Sequence, residues 1–341
     1  MKSIELKAPY LIFTGNETND GYAKTGFGIV EWRRSLCKGQ MSLKGGTVDL
    51  GLPSMTIKEA VDAKVGSLII GTAAIGGGIP DAWLETLEEA LLAGIDIVGG
   101  VHVRLNSIPR FKKASEKSGA RLIDIRIPPE NLPVASGKKR SGFRLLTVGT
   151  DCGLGKKYTA LALEKDMRAI GMNVDFRASG QTGIMIAGKG IPIDAVVADF
   201  ISGVAELLSP DNDSNHWDVI EGQGGIFHPG YGAVSTGLLV GSQPDAFVVC
   251  HEVGRDQIMG WPNFTTPTIN EVIERTIQIG SLTNRDIRCV GISVNTSSLN
   301  LEERENYLNK LSKEVGLPCV DPLKNGTQKI IDYLNITFNN K

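Results

Sequence analysis

An apolar run that ends in a glycine-rich turn and opens directly into a helical pattern leaves a chain few folds to choose from. Residues 145–163, LLTVGTDCGLGKKYTALAL, are such a run. A strand, a tight turn and a helix in that order aim several backbone N–H groups at one point. The positive end of the helix dipole adds to them, so the turn predicts an anion site on a parallel α/β sheet. Gly149, Gly153 and Gly155 allow the tight backbone path, and Lys156 supplies a formal charge. The spacing is one residue longer than the G-x-x-x-x-G-K of a nucleoside triphosphatase. Such an enzyme places Ser or Thr after the lysine to hold magnesium, whereas Lys157 and then Tyr158 follow here. A second ammonium can take over part of the metal's neutralising role. At ~4 Å and an effective dielectric near ~20, one such pair contributes roughly 4 kcal/mol before desolvation. That suits holding a diphosphate, and it suits phosphoryl transfer poorly, because a metal normally bridges the β- and γ-oxygens there. No metal is expected.

Short apolar runs alternate with helical patterns along the whole chain, which predicts parallel sheets covered by helices. In the first part the strand candidates are residues 10–13, 67–70, 95–98 and 121–126. Between them, Thr56 and Glu59 stand at capping-box spacing. Trp83, Leu84, Leu87, Ala90 and Leu91 share one face of a helix that Asp81 can cap and Gly94 can end. The alternation breaks at PENLPVASGKKRSG (129–142), a Pro-, Gly- and Lys-rich run without periodicity that reads as a linker, with the basic 136–140 stretch solvated. Strand patterns then resume in FRLLTVG, NVDFRA, WDVIEG, AFVVCHE, CVGISVN and PCVDP, and the C-terminal NITFNNK reads as a frayed end. The expectation is an α/β chain with a Rossmann-like open parallel sheet in residues 1–128, a linker in 129–142 and a P-loop α/β domain in 143–341. The turn GTAAIGGG (71–78) lacks G-x-G-x-x-G spacing and a suitable acidic partner, so no dinucleotide is expected.

Composition narrows the partners. With 41% hydrophobic and 22% charged residues and a net charge of −2, the chain reads as a globular protein without a nucleic-acid footprint. No run approaches the ~20 apolar residues of a membrane helix, and the N-terminus lacks the apolar core of a signal peptide. Five cysteines, odd in number and far apart, predict reduced thiols and a cytoplasmic location.

The loop resembles that of dethiobiotin synthetase, which also begins Gly-Thr-Asp and carries the one-residue insertion. A wider resemblance covers nearly the whole chain. AKTGFGIVEWR (23–33), CKGQ (37–40), DLGLPSMT (49–56), GGGIP (76–80) and GGVHVRL (99–105) carry it in the first part. GTDCGLGK (149–156), ASGQTGIMIAG (178–188), VVADFISG (196–203), EGQGGIFHPGY (221–231) and GSQPDAFVVCHE (241–252) carry it in the second. Together they are similar to a two-domain P-loop family, long labelled as of unknown function, whose characterised members act as D-glutamate N-acetyltransferases. The resemblance implies acetyl-CoA as co-substrate, an amino-acid acceptor and a homo-oligomer. It implies that Gly149, Asp151, Cys152, Gly153, Gly155, Lys156 and Lys157 hold the diphosphate, with Tyr158 against the pantetheine or adenine and Asn295 at an adenine edge.

Acyl transfer to an amine needs a base, oxyanion donors and anchors for substrate carboxylates. Glu221 and His228, in or near a Gly-rich turn after a strand, are the leading base candidates, with Asp199 third. The amides of 180–183 or 222–225, with Gln181 and Thr182, are candidate oxyanion donors. Lys24, Thr25, Arg33 and Arg104, with Gln40 as a neutral donor, are candidate carboxylate anchors, the arginines favoured for their bidentate fork. His102 lies beside Arg104 and faces into the site if the chain turns there. His251 reads as a satisfied buried histidine, and His216 as a bystander in a polar loop. Two rival readings remain. One is an ATP- and magnesium-dependent ligase or kinase similar to dethiobiotin synthetase, with Thr159 or Glu221 as metal ligand. The other is a non-catalytic nucleotide- or coenzyme-A-binding regulatory module.

Overall fold

The protein is described by a computed structural model covering residues 3–72 and 77–338. The chain divides into two compact units. The first comprises the chain up to Ile127 together with Gln181–Pro192; the second comprises Pro128–Gly180 and the chain from Ile193 onward. A linear division at residues 129–142 therefore does not describe the whole path, because a short segment of the later chain returns to the first unit. The motif GGGIP and the turn 71–78 fall partly on residues 73–76, outside the described residues.

The first unit runs β1 (Tyr10–Gly15), α1 (Lys24–Arg33), β2 (Cys37–Ser42), α2 (Ile57–Asp62), β3 (Ser67–Ile70), α3 (Asp81–Leu92), β4 (Asp96–Gly99), α4 (Pro109–Ser118) and β5 (Leu122–Asp124). Its five strands pair in the order β2-β1-β3-β4-β5, all parallel. Sequence order reverses around β1, and ligands of open α/β sheets bind at such a point, outside the carboxyl ends of the strands. The apolar face of α3 is buried as its periodicity predicts, and Trp83 meets Phe13 edge to face at 5.3 Å. Thr56 and Glu59 form the expected capping box on α2. Asp81 makes no capping bond, while Gly94 adopts the left-handed conformation that ends α3. Strand β2 escaped the sequence pattern because CKGQMS has no apolar run. It is an edge strand paired to β1, and its Gln40 amide donates to Asp49 and accepts from the Leu50 amide.

The second unit holds β6 (Phe143–Gly149), α5 (Lys156–Ala169), β7 (Val174–Arg177), α7 (Ile201–Leu208), β8 (Trp217–Ile220), α8 (Gly232–Ser242) and β9 (Ala246–Glu252). The hairpin β10–β11 (Gln257–Ile258, Trp261–Thr265), α9 (Ile269–Gly280), β12 (Arg288–Asn295), α10 (Leu301–Val315), β13 (Cys319–Val320) and α11 (Gln328–Phe338) complete it. Helix α6 (Gln181–Ala187) belongs to the first unit. The six-stranded sheet has the order β13-β12-β9-β6-β8-β7 with every pairing parallel. Strand β6 sits inside it, between β8 and β9, so the turn that follows opens at the middle of the carboxyl edge.

Three readings are corrected here. The basic stretch at 136–140 is not simply solvated: Arg140 is buried and donates to the carbonyls of Glu206, Ser209, Gly241 and Ser242, while Glu206 accepts from the Ser136 and Gly137 amides. Its guanidinium ties otherwise bare carbonyls at two helix ends, which a sequence without periodicity cannot reveal. His216 is buried, between Asn173 and Asp218, and Asp218 also accepts from Arg177 and Ser209. The C-terminus stays helical to Phe338, whose ring packs on Phe143 and Trp217; residues 339–341 lie outside the described residues.

Arg140→Ala strips four buried or part-buried carbonyls of their donor. It is expected to destabilise the protein by about 2–4 kcal/mol, read as a lower urea midpoint with an unchanged slope.

Candidate active site

The turn after β6 is built as the glycines require. Gly153 and Gly155 take positive φ values of 68° and 106°, which favour glycine, and α5 starts at Lys156. Lys156 is fully enclosed, its ammonium donating to the Asp151 carbonyl at 2.6 Å, and burial lowers its pKa. Lys157 lies 4.8 Å over the Tyr158 ring. Lys156 and Lys157 open a 14-residue helix whose first backbone amides face the turn, the geometry that receives anions at helix N-termini.

The Asp151 carboxylate is buried and shapes this turn. It accepts from the Cys152 amide at 2.6 Å, the Met259 amide at 2.8 Å and Arg255 at 3.1 Å. Arg255 also pairs with Glu252, and Glu252 accepts from Asn295 at 3.2 Å. Asn295 is thus engaged within the sheet edge, accepting also from the Ser297 amide, and is not a bare reader of an adenine edge. Thr159 is buried, with its hydroxyl shared between the Gly155 carbonyl and Ser293. That takes it out of the cradle, so Thr159 is no magnesium ligand.

Glu221 follows β8 and is buried against the neighbouring strand end. Its carboxylate accepts from the amides of Ser179 at 3.1 Å and Gly180 at 3.0 Å. Burial pushes its pKa up to about 7, against the opposing pull of Lys157 and those two amides. A carboxylate that ionises near neutrality is fitted to take a proton from an amine. The Gly180 amide is therefore committed to Glu221, and the Gly222 amide to the Thr147 hydroxyl at 2.9 Å. Neither is available to an oxyanion.

His228 is buried at the entry to α8. Its Nδ1 accepts from the amides of Gly230 at 3.1 Å and Tyr231 at 3.2 Å, in the turn that leads into α8. Those donors assign the ring proton to Nε2 in the neutral form, and burial holds the pKa below the usual histidine value. An Nε2 that carries a proton donates and cannot accept one, so His228 is corrected from base to donor. Its Nε2 stands 3.9 Å from Asp151 without a hydrogen bond, and its ring packs on Tyr231 and Trp261. One ligand atom each of Asp151, Cys152 and His228 falls within 4.8 Å of the others. With Nδ1 engaged and Nε2 protonated, the histidine has no lone pair to offer, and the trio is poorly fitted to a cation.

The remaining candidates scatter. Asp199 is exposed at the turn before α7 and makes no hydrogen bond to the cradle. In the first unit, Thr25 at the start of α1 shares a hydrogen bond of 3.0 Å with Thr182. Lys24 precedes it. Arg33 stands at the far end of the same helix, roughly 14 Å away by helical rise, and donates to the Ile186 carbonyl. It cannot join Lys24 and Thr25 at one ligand. Gln40 is spent on the loop at Asp49–Leu52. Arg104 is exposed and forms no side-chain hydrogen bond or ion pair among the described residues. Gln181, with its amide turned to donate to the Gly100 carbonyl at 2.7 Å, accepts from Arg126 at 3.3 Å. Sequence reasoning missed Arg126, Arg255 and the β10–β11 hairpin. Of these, only Arg126, the last residue of the candidate strand 121–126 and two residues past β5, carried a signal, through its place at a carboxyl edge. His251, by contrast, is satisfied as expected, bonded to Thr150 at 3.1 Å.

Comparison with known proteins places these elements in company. Residues 133–331 match a family described as a domain of unknown function (DUF1611_C), P-loop domain, and residues 41–128 match its Rossmann-like counterpart (DUF1611_N). A protein of Pseudoalteromonas sp. named D-glutamate N-acetyltransferase is 45% identical over 97% of this chain and 100% of its own length. One of the same name from Tritonibacter scottomollicae is 44% identical over 96% of this chain and 99% of its own. The crystal structure of a DUF1611 family protein from Anabaena variabilis superposes with a TM-score of 0.87 at 31% identity, covering 97% of this chain and 99% of that one. Among the described residues no helix is long and apolar enough to cross a membrane.

The raised pKa of Glu221 predicts a sign for stability. Between its ordinary value of 4.5 and about 7 the folded state binds a proton that the unfolded state has lost. Stability contributed by this group is therefore present below pH 4.5 and falls as pH rises through 7. Glu221→Gln removes the penalty. Its stability relative to the unaltered protein is expected to gain up to about 3 kcal/mol across that window, read by urea unfolding at pH 5 and pH 7.5. A constant difference at both pH values would contradict the raised pKa.

Proposed function

This chain belongs to that two-domain family, a Rossmann-like domain followed by a P-loop domain, and on that premise we propose that it transfers the acetyl group of acetyl-CoA to the α-amine of D-glutamate. The choice of D-glutamate follows the two relatives that carry that name along their full length. At the level of residues the reading is carried by Glu221, a buried carboxylate with a pKa of about 7 beside the phosphate cradle.

The cradle of Gly153, Gly155, Lys156 and Lys157 binds the diphosphate of the donor, and the position where a triphosphatase places its magnesium-binding hydroxyl is occupied by Lys157. Acetyl-CoA supplies an activated acyl carbon. Glu221 removes a proton from the acceptor ammonium, freeing its lone pair. The amine nitrogen then bonds to the acyl carbon, the carbon–sulfur bond breaks, and the departing thiolate takes up the second proton that the nitrogen sheds. His228, a neutral donor with its tautomer set by the Gly230 and Tyr231 amides, stands beside Asp151.

The experiment is free-thiol release from acetyl-CoA by purified protein, with D- and L-glutamate and aspartate compared and EDTA present. Release that requires D-glutamate and ignores EDTA is the expected result; magnesium-dependent phosphate release from ATP in a parallel reaction would overturn the reading. Lys156→Ala should chiefly raise the KM for acetyl-CoA. Glu221→Gln should lower kcat by about a hundredfold or more with that KM little changed. In the unaltered enzyme kcat/KM should rise with pH through about 7 as Glu221 ionises, and the variant should lose that limb.

A further inference from the structure

We propose that Tyr231 and Trp261 form the wall that receives the pantetheine arm of coenzyme A, the uncharged chain between its diphosphate and the thioester. The identity of that ligand rests on the acetyl-transfer reading; the place and its chemistry rest on the second unit alone. Two segments of that unit meet here, and both are held against the turn after β6. The first is the loop that runs from Glu221 to Tyr231. Its Gly222 amide donates to the Thr147 hydroxyl at 2.9 Å. A Cβ at Gly222 would stand 1.6 Å from the Thr147 carbonyl, and one at Gly225 would stand 3.4 Å from the Asp151 Cα. The second segment is the β10–β11 hairpin, whose Met259 amide donates to the Asp151 carboxylate at 2.8 Å.

The two segments join through His228. Its ring stacks on Tyr231 at 4.5 Å and meets Trp261 edge on at 4.6 Å, and the Tyr231 and Trp261 rings stand 5.9 Å apart. Gly230 lets the backbone pass the indole, since a Cβ there would lie 3.1 Å from it. The His228 side chain is fully buried, whereas Tyr231 is 49% and Met259 40% exposed, and Trp261 is partly so. A two-stranded ribbon is marginal by itself, and burying these faces would stabilise it. Apolar surface left open beside a P-loop therefore marks a place for a ligand. Charge decides which part of the donor fits. The helix that starts at Lys156 offers cations to the diphosphate, while Tyr231, Met259 and Trp261 carry no charge and the ring beneath them is a neutral imidazole. Methylenes, methyl groups and amide planes pack well on such faces. Connectivity agrees. The arm leaves the diphosphate and has to bring the thioester to Glu221, and the loop that carries Tyr231 begins at Glu221.

The test is calorimetric titration of two ligands into the full-length protein, with acetyl-transfer kinetics alongside. One ligand is coenzyme A; the other is its nucleotide half, adenosine diphosphate carrying the ribose phosphate, which lacks the arm. The variants are Tyr231→Ala, Tyr231→Phe and Trp261→Leu. Tyr231→Ala and Trp261→Leu are each expected to raise Kd for coenzyme A by about fivefold to fiftyfold, with Kd for the nucleotide half changed by less than about twofold. Tyr231→Phe keeps the ring and should bind coenzyme A as the unaltered protein does. Undiminished affinity for coenzyme A in either truncation overturns the wall. So does an equal loss of both ligands, the mark of damage to the turn itself. If Trp261→Leu does not fold, Tyr231→Ala decides, since its ring is half exposed. If the nucleotide half binds too weakly to titrate, Tyr231→Phe decides: a loss as large as that of Tyr231→Ala overturns the wall, and retention upholds it. Should coenzyme A bind through these rings while no acetyl group reaches D-glutamate, the wall stands and the acetyl-transfer reading falls. Transfer with an unchanged KM for acetyl-CoA in both truncations keeps that reading and sinks the wall. An unaltered protein that binds no coenzyme A overturns both.

Discussion

The turn after β6, the P-loop of this domain, depends on one buried carboxylate. Gly153 and Gly155 hold this turn in left-handed conformations, and ordering such glycines costs a large conformational entropy. Asp151 compensates by accepting from the Cys152 amide within the loop and from the Met259 amide and Arg255 outside it. The β10–β11 hairpin is thereby tied to the turn after β6, more than a hundred residues earlier in the chain. Lys156 completes the clamp by bonding the Asp151 carbonyl. A buried carboxylate with several donors is stable only while all of them are present, so the cradle and the hairpin form one cooperative unit.

Two ionisable groups beside this cradle divide the chemistry by environment. Glu221 is enclosed and only partly compensated by Lys157 and two backbone amides, so its proton affinity rises toward neutrality. His228 is enclosed as well, but burial acts on a cation-forming group in the opposite direction and lowers its pKa. The Gly230 and Tyr231 amides, in the turn before α8, then set its neutral tautomer. The same burial thus raises the proton affinity of the carboxylate and lowers that of the histidine. Pairs of titratable groups pushed apart in this way are how acid and base roles are assigned within one site.

Most of the fold was legible because parallel strands buried on both faces read as apolar runs, and all four candidates in the first part and all six in the second became strands. Strand β2 and the hairpin were not legible, since CKGQMS and QI–WPNFT owe their pairing to neighbours and carry no periodic signal of their own. The cradle was legible down to its glycines, because turn chemistry is local. The partners of the candidate side chains were not. Whether Gln40 faces a ligand or staples Asp49 depends on contacts that no spacing records. Thr159 likewise looked available as a metal ligand because only the fold reveals Ser293 beside it. Arg140 and His216 looked idle for the same reason: their partners are carbonyls and a carboxylate brought near by tertiary packing.

Helix α6 shows most plainly how a local reading can mistake a structural residue for a functional one. Seven residues are too few to hold a helix by propensity, and five of them, Thr182 to Ile186, are buried. Its stability comes from the first unit. Thr182 bonds Thr25, the Ile4 amide bonds the Gly188 carbonyl, and Arg33 donates to the Ile186 carbonyl in the last turn, where a cation also favours the helix dipole. Arg33 is therefore the terminal cap of an otherwise marginal helix. The residue immediately before that helix, Gly180, gives its amide to Glu221. Because the peptide from Gly180 to Gln181 is continuous, a helix that frays would loosen the donor that helps keep Glu221 ionisable near neutral pH.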